Sequence, residues 1–257
     1  MNQKDSKWQT KELAKTFLEG VRGAIPAANL QLEVLNKIVS MWSPAPSEIL
    51  DLGCGDGVLG RMLLDAHATA HVTFADFSES MLEAAKKQIG NNQRATLIEA
   101  DFSSAAWLNG FEAEKPFDVI VSGFAIHHQP DDRKKKLYSE IYGLLGEGGV
   151  FLNLEHVSSA TLSVSALFDS FFVDHLFRFH RDTVPNKTRQ EIEEAYYQRP
   201  DKEENILAPV ETQCRWLREI GFQDVDCFFK VFELALFGGR KTSNEPMQPI
   251  GHNAASG

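Results

Sequence analysis

The sequence predicts an α/β protein, a mostly parallel sheet covered by helices. Three observations predict it. Strand-like and helix-like segments alternate from Glu48 to Glu155. The strand-like segments are apolar on both faces, as in a sheet covered from both sides. The turn after the first strand, "DLGCGDG" at 51–57, is rich in glycine, which lets a backbone turn tightly and approach a ligand closely.

Each element has its own signal. Residues 8–23 carry Leu13, Phe17 and Val21 at helical spacing, and "GAIPAANL" interrupts them. A second helix places Leu30, Val34, Leu35, Ile38, Val39 and Trp42 on one face, and "SPAPS" breaks it. Strand "EILDLG" leads into a helix from Val58 to Asp65. Strand "HVTFAD" leads into helix "SESMLEAAKKQIG", with Ser78 as N-cap and Gly90 as the stop. Strand "ATLIEAD" is third. Strand "FDVIVSG" precedes a helix over "DDRKKKLYSEIYGLLGEGG", and "VFLNLEH" is the fifth strand. The alternation then lapses into Phe-rich helical segments, "ALFDSFFVDHLFRFH" and "NKTRQEIEEAYYQRP". Helix "VETQCRWLREIGF" and a hairpin, "VDCFFKVFELALFGG", complete the sheet. The expected organisation is an N-terminal helical cap over 1–44 and a central domain over 45–240 with a helical insertion at about 157–205. The polar stretch over 241–257 is expected to be a disordered tail.

Composition narrows the function classes. A chain of 257 residues has length for one large domain with a full core. A formal net charge of -10 argues against DNA, tRNA and anionic membranes as partners. The one basic run, Arg133 to Lys136, reads as the solvated face of a helix. Cys54, Cys214 and Cys227 lack C-x-x-C spacing, so neither a disulfide framework nor a metal site is expected, and a reducing cytoplasm fits. The N-terminus has no apolar signal core, and no run reaches the ~18 apolar residues of a membrane span. A monomer or homodimer is expected.

The glycine turn departs from the dinucleotide fingerprint, whose third glycine would fall at Val58. Its spacing is G-x-G-x-G, with Asp51 ending the strand before it. A carboxylate there suits a cationic amine or sulfonium better than a pyrophosphate. "ILDLGCGDGVLG" resembles the first motif of the class I S-adenosylmethionine-dependent methyltransferases. "FADFSESML", "IEADFSS" and "FDVIVSGFAIHHQPDDRKKKLYSEIYGLLGEGGVFL" resemble the motifs that follow, in order. The resemblance covers roughly residues 30–155 and 205–240. It implies a seven-stranded sheet of order 3-2-1-4-5-7-6 with strand 7 antiparallel, and S-adenosylmethionine as cofactor. Carried onto this sequence, it implies that Asp51 meets the methionine amine and that Gly53, Gly55 and Gly57 give close backbone approach. Asp76 would grip both ribose hydroxyls, with Phe77 and Met81 beside it. Asp101 would take the adenine amino group, Phe102 would line the adenine pocket, and Ser122 and Gly123 would end the fourth strand at the ligand. Gly60 reads as a packing position, Cys54 as a small turn residue, Asp118 as structural, and Arg22 as a candidate for the methionine carboxylate.

Methyl transfer from a sulfonium is an in-line displacement on carbon, so the protein must align the nucleophile and exclude water. A hydroxyl or ammonium acceptor also needs a base. The candidates are His127 and His128 after strand four, and Glu155 and His156 at the end of strand five; packing or a backbone hydrogen bond is the competing role for the histidines. The Phe-rich insertion reads either as a lid over an apolar pocket for a small organic acceptor or as ordinary core, with Arg178, His180, Tyr196 and Tyr197 as possible lining. Two other functions compete. One is an enzyme resembling carboxy-S-adenosylmethionine synthase of tRNA wobble-uridine modification, suggested by "AIP" and "PVETQCRWLREIGF", with Arg215 or Trp216 at the position of its carboxylate-holding arginine. The other is a cofactor-binding partner subunit without catalysis, which an acceptor pocket lacking polar groups would support.

Overall fold

The structure is a computed structural model that describes residues 24–111, 115–183, 187–199, 202 and 204–242. The predicted helix over 8–23, Arg22 and the predicted tail beyond residue 242 lie outside the described residues.

Seven strands form one sheet: β1 (Glu48–Leu52), β2 (His71–Asp76), β3 (Ala95–Glu99), β4 (Phe117–Gly123), β5 (Leu145–His156), β6 (Gln223–Val231) and β7 (Leu234–Arg240). Their order is β3-β2-β1-β4-β5-β7-β6. The pairs from β3 to β5 are parallel, and β7 runs antiparallel to both β5 and β6. Helices α1 (Ala28–Trp42), α2 (Val58–Ala66) and α3 (Glu79–Ile89) cover one face, where Leu35, Val39, Leu59 and Leu63 pack on Ile49, Val72 and Phe74. A 3₁₀ turn (Ala105–Gly110), α4 (Asp131–Leu144) and α7 (Val210–Ile220) cover the other, where Trp107, Leu137, Ile141 and Leu217 pack on Leu50, Ile120 and Phe151. Adjacent residues Ile49 and Leu50 thus serve opposite cores, which is why the strands read as apolar runs. Helices α5 (Leu162–Thr183) and α6 (Arg189–Gln198) form the insertion.

Four expectations change. Leu30 is 49% exposed; the inward stripe of α1 is Gln31, Leu35 and Val39, with the Gln31 amide donating to the Pro26 carbonyl. Helix α4 stops at Leu144 instead of running through the glycines. The Lys241 ammonium donates to the carbonyls of Tyr142 and Leu145 at the C-terminal end of α4, and Gly148, at φ 78°, pairs by its N–H with the Lys241 carbonyl. Ser78 occupies the N-cap position of α3, yet its hydroxyl bonds Ser80 and not the helix backbone. The basic run is not a solvated face: Lys135 and Lys136 are exposed, whereas Lys134 is fully buried and Arg133 is mostly covered.

Candidate functional site

The glycines answer to backbone geometry. Gly53, Gly55 and Gly57 have φ of 67°, 55° and 81°, a region that residues with a Cβ seldom adopt. Gly53 needs its bareness twice, since an added Cβ would lie 2.3 Å from the Ala125 Cβ in the loop after β4. At Gly55 nothing lies within 4 Å of that position, so the turn is open there. The N–H groups of Gly53 and Cys54 donate to the Ala75 carbonyl, fastening the turn to the end of β2. Gly60 is the packing position expected, because a Cβ there would meet the Phe74 ring at 2.3 Å.

Asp76 ends β2 beside this turn. Its carboxylate accepts from the N–H of Gly55 at 2.9 Å and of Ser78 at 2.9 Å. Burial pushes its pKa up to about 6, against the lowering effect of those N–H groups and that of Phe77. Asp51, also buried, accepts from the Gly60 N–H at 2.8 Å and so ties β1 to α2. Asp101 accepts from the Ser103 N–H, while Phe102 is buried and its ring lies against Gly53. Phe77 is half-buried and Met81 buried. Ser122 is fully buried and donates its hydroxyl to the Leu52 carbonyl, so here it joins β4 to β1. At Gly123 a Cβ would press on Leu59 at 2.9 Å. Asp118 is remote at the far end of β4, accepting from Ser47 and the Glu48 N–H, a structural role.

A second group of polar residues gathers at the ends of β4 and β5. His127 and Glu155, 28 residues apart, meet at 2.6 Å between Nδ1 and Oε1. Glu155 has no exposed surface, and burial raises its pKa to about 7. His127 is held well below the ordinary histidine value by burial and by the neighbouring His156, Lys134 and Arg199. Both shifts favour the uncharged forms of the pair. The same Oε1 accepts from the His156 N–H, and Oε2 from the Asn153 amide at 3.4 Å. That amide also reaches the Tyr138 hydroxyl, which donates to Gln213 Oε1 at 2.5 Å. The His156 ring bonds Glu233 at 2.9 Å. His128 takes the competing role: Nδ1 meets the Glu204 carbonyl at 3.3 Å, and burial drives its pKa down to about 3.

The sequence reading missed Tyr138, Asn153, Gln213 and Glu233. Asn153 and Glu233 had a signal, each being polar within an apolar strand or hairpin. It also missed that Arg133 donates from Nε to the Phe102 carbonyl while gripping Glu140 with both terminal guanidinium nitrogens, with Trp107 donating to the same carboxylate. In the insertion, Phe168, Phe172, Val173, Leu176, Ile192 and Tyr196 form a core with Ala24, Ile25 and Leu234; Tyr197 and Arg178 are exposed. Arg215 lies exposed on α7, 3.8 Å from Glu219, and Trp216 packs against the sheet core. An exposed arginine paired along its own helix and a core-packed tryptophan supply no buried carboxylate-holding arginine, which removes the main support for the synthase-like alternative. The polar groups at His127, Glu155, His156 and Glu233 likewise oppose the non-catalytic one. No cluster of three or more His, Cys, Asp or Glu suited to a metal occurs among the described residues, and no described helix is long and apolar enough to cross a membrane.

Residues 49–149 match the sequence profile of a methyltransferase domain. The chain is similar to a demethylmenaquinone methyltransferase of Leptospira interrogans, at 36% identity over 107 residues, which is 42% of each chain. It is also similar to a malonyl-[acyl-carrier protein] O-methyltransferase of Ilyobacter polytropus, at 26% over 141 residues, or 54% of this chain and 50% of that one. The chain thus aligns with half or less of the length of these relatives. Among solved structures, a putative S-adenosylmethionine-dependent methyltransferase of Methanococcus maripaludis shares the fold with a TM-score of 0.59 at 20% identity, covering 95% of this chain and 98% of that one. An O-methyltransferase family protein of Burkholderia thailandensis gives 0.63 at 18%, covering 95% and 64%. The strand order, the glycine turn and the domain match agree: residues 49–149 form a methyltransferase domain, and the seven-stranded sheet has the class I S-adenosylmethionine-dependent methyltransferase fold.

Proposed function

We propose that this protein transfers the methyl group of S-adenosylmethionine to an oxygen or nitrogen of a small organic acceptor. The observation that carries the reading is the 2.6 Å contact of His127 with Glu155, at strand ends adjoining the glycine turn and Asp76. In this reading Asp76 holds the ribose, Asp101 and Phe102 the adenine end, and the turn at Gly53–Gly57 the methionine end. S-adenosylmethionine held this way would supply an activated methyl group to an acceptor at the ends of β4 and β5. The acceptor's lone pair forms the new bond to the methyl carbon. The C–S bond breaks with its electrons left on sulfur, giving the neutral thioether. The acceptor's proton passes to His127, and Glu155, which has no exposed surface, orients that imidazole and offsets the charge it gains. The Asn205 side chain also hydrogen-bonds His127, so the segment carrying it must yield for an acceptor to approach. The insertion then acts as the lid that dries the site. Two relatives named for small-molecule and carrier-bound acceptors support the choice of acceptor class, and three free cysteines suit a cytoplasmic setting.

The test is calorimetry with S-adenosylhomocysteine and NAD, followed by a mass-spectrometric screen with methyl-labelled cofactor. Binding of the first ligand alone and a product heavier by one labelled methyl are expected. NAD binding without a response to S-adenosylhomocysteine overturns the reading, and a product carboxylated at the cofactor methyl returns the synthase-like alternative.

A further inference from the structure

Lysine is almost never fully buried without partners, and Lys134 has no exposed surface. Its ammonium bonds Asp131 Oδ1 at 2.7 Å and the Ile206 carbonyl. Ile206 belongs to the segment that returns from α6 to α7, outside any helix or strand, where a carbonyl has no ladder partner. The other side of this residue is held as well: its N–H donates to the His127 carbonyl at 2.9 Å. Two residues earlier, the Glu204 carbonyl meets His128. The return segment is therefore stitched to the His127–His128 turn, with a buried cation closing the last stitch. The charge of that cation reaches both members of the buried pair, His127 and Glu155.

We propose that Lys134 is a positioning residue of the acceptor site, clamping the lid's return segment onto the His127 turn and setting the charge balance of the His127–Glu155 pair. The proposal rests on the reading of that pair as the proton-handling group. Other charged or titratable groups face the pair from every side: His128 on the same turn, His156 on β5, Tyr138 on α4, Arg199 after α6, and Glu204 on the return segment. His128 also joins the return segment, through the Glu204 carbonyl; Lys134 adds a buried cation bonded to the Ile206 carbonyl whose charge reaches both members of the pair. It stabilises the ionised carboxylate and disfavours the imidazolium, so it biases the pair toward a carboxylate beside a neutral imidazole. That is the form able to accept a proton.

The experiment is a nuclear magnetic resonance titration of the full chain with labelled histidine Cε1 and glutamate Cδ, between pH 5 and 9, for wild type, Lys134→Met, Lys134→Arg and Asp131→Asn. Removing the cation should move the titration of the pair upward by about one pH unit. Lys134→Arg should restore it. Asp131→Asn leaves the ammonium uncompensated and should move it downward. Exchange of the Ile206 amide should quicken about tenfold in Lys134→Met. A titration that stays put in both Lys134→Met and Asp131→Asn, with S-adenosylhomocysteine binding intact, overturns the proposal. If Lys134→Met does not fold, Asp131→Asn and Lys134→Arg decide it alone. Failure of wild type to bind S-adenosylhomocysteine would instead sink the functional reading, and this titration does not use that ligand.

Discussion

Cofactor affinity should fall in mild acid because of Asp76. In the free protein its carboxyl titrates at about 6, raised from 3.8 by burial. The sign follows from linkage. A carboxyl whose folded pKa is raised is fully tolerated below the unfolded value, and its stability contribution is lost as pH rises through the folded one. At pH 7.5 the buried charge therefore costs the fold about 3 kcal/mol, from a shift of roughly two units at 1.36 kcal/mol each. If Asp76 holds the ribose as proposed, hydroxyls donating to its carboxylate would offset part of that cost, and they would need the ionised form. From pH 7.5 to 5.0 the ionised fraction drops from nearly all to about a tenth, so affinity should weaken about tenfold, or about 1.4 kcal/mol. The assay is calorimetry with S-adenosylhomocysteine at several pH values. Asp76→Ala is the control. It should bind weaker by one to two decades, since hydrogen bonds to a charged group contribute about 1.5–3 kcal/mol, and its affinity should be flat across the same range. Glu155, at about 7, titrates in a nearby window, and the control separates the two. An affinity independent of pH in wild type, or an equal slope in Asp76→Ala, refutes the reasoning.

Three further outcomes are expected. Gly60→Ala drives a methyl to 2.3 Å from the buried Phe74 ring and should destabilise by about 1–3 kcal/mol; an unchanged melting temperature by scanning calorimetry would show that the α2–β2 contact is loose. Asp118→Ala strips the acceptor from Ser47 and Glu48 and should cost about 1 kcal/mol of stability, with S-adenosylhomocysteine affinity kept within about twofold; a larger loss of affinity contradicts its structural role. Amides of α5 should exchange faster than those of β4 without ligand and slow when S-adenosylhomocysteine binds. Equal protection of the two elements at the start would make the insertion permanent core and not a lid.

How far the sequence led depended on the kind of signal. The sheet was legible because parallel strands covered on both faces write themselves as apolar runs, and β2 and β4 fall on the residues expected. The glycine turn was legible because three positive φ values leave little choice of residue. Helix ends were less so: α4 stops at Leu144, where Lys241, nearly a hundred residues on, takes the carbonyls of Tyr142 and Leu145, and no local pattern shows a cap supplied from so far along the chain. The histidines and Glu155 were named as separate candidates, but only the sheet brings positions 127 and 155 within 2.6 Å.

The basic run at 133–136 shows why the rest was hidden. Local reading assigns a cation to solvent, since burying one unpaired is costly. Whether partners exist is decided by tertiary structure. For Arg133 they are Glu140, two turns further along α4, and the Phe102 carbonyl from the loop after β3. For Lys134 they are Asp131 and the Ile206 carbonyl from the far side of the insertion. Adjacent on one helix, the two cations therefore hold two different segments, the loop after β3 and the return from the insertion. Arg133 braces the wall expected to meet adenine, and Lys134 braces the turn expected to meet the acceptor. Helix α4 is then the element that fixes the distance between the two, and a displacement in-line at carbon is sensitive to that distance above all. A change that lets α4 slide should accordingly cost turnover before it costs cofactor affinity.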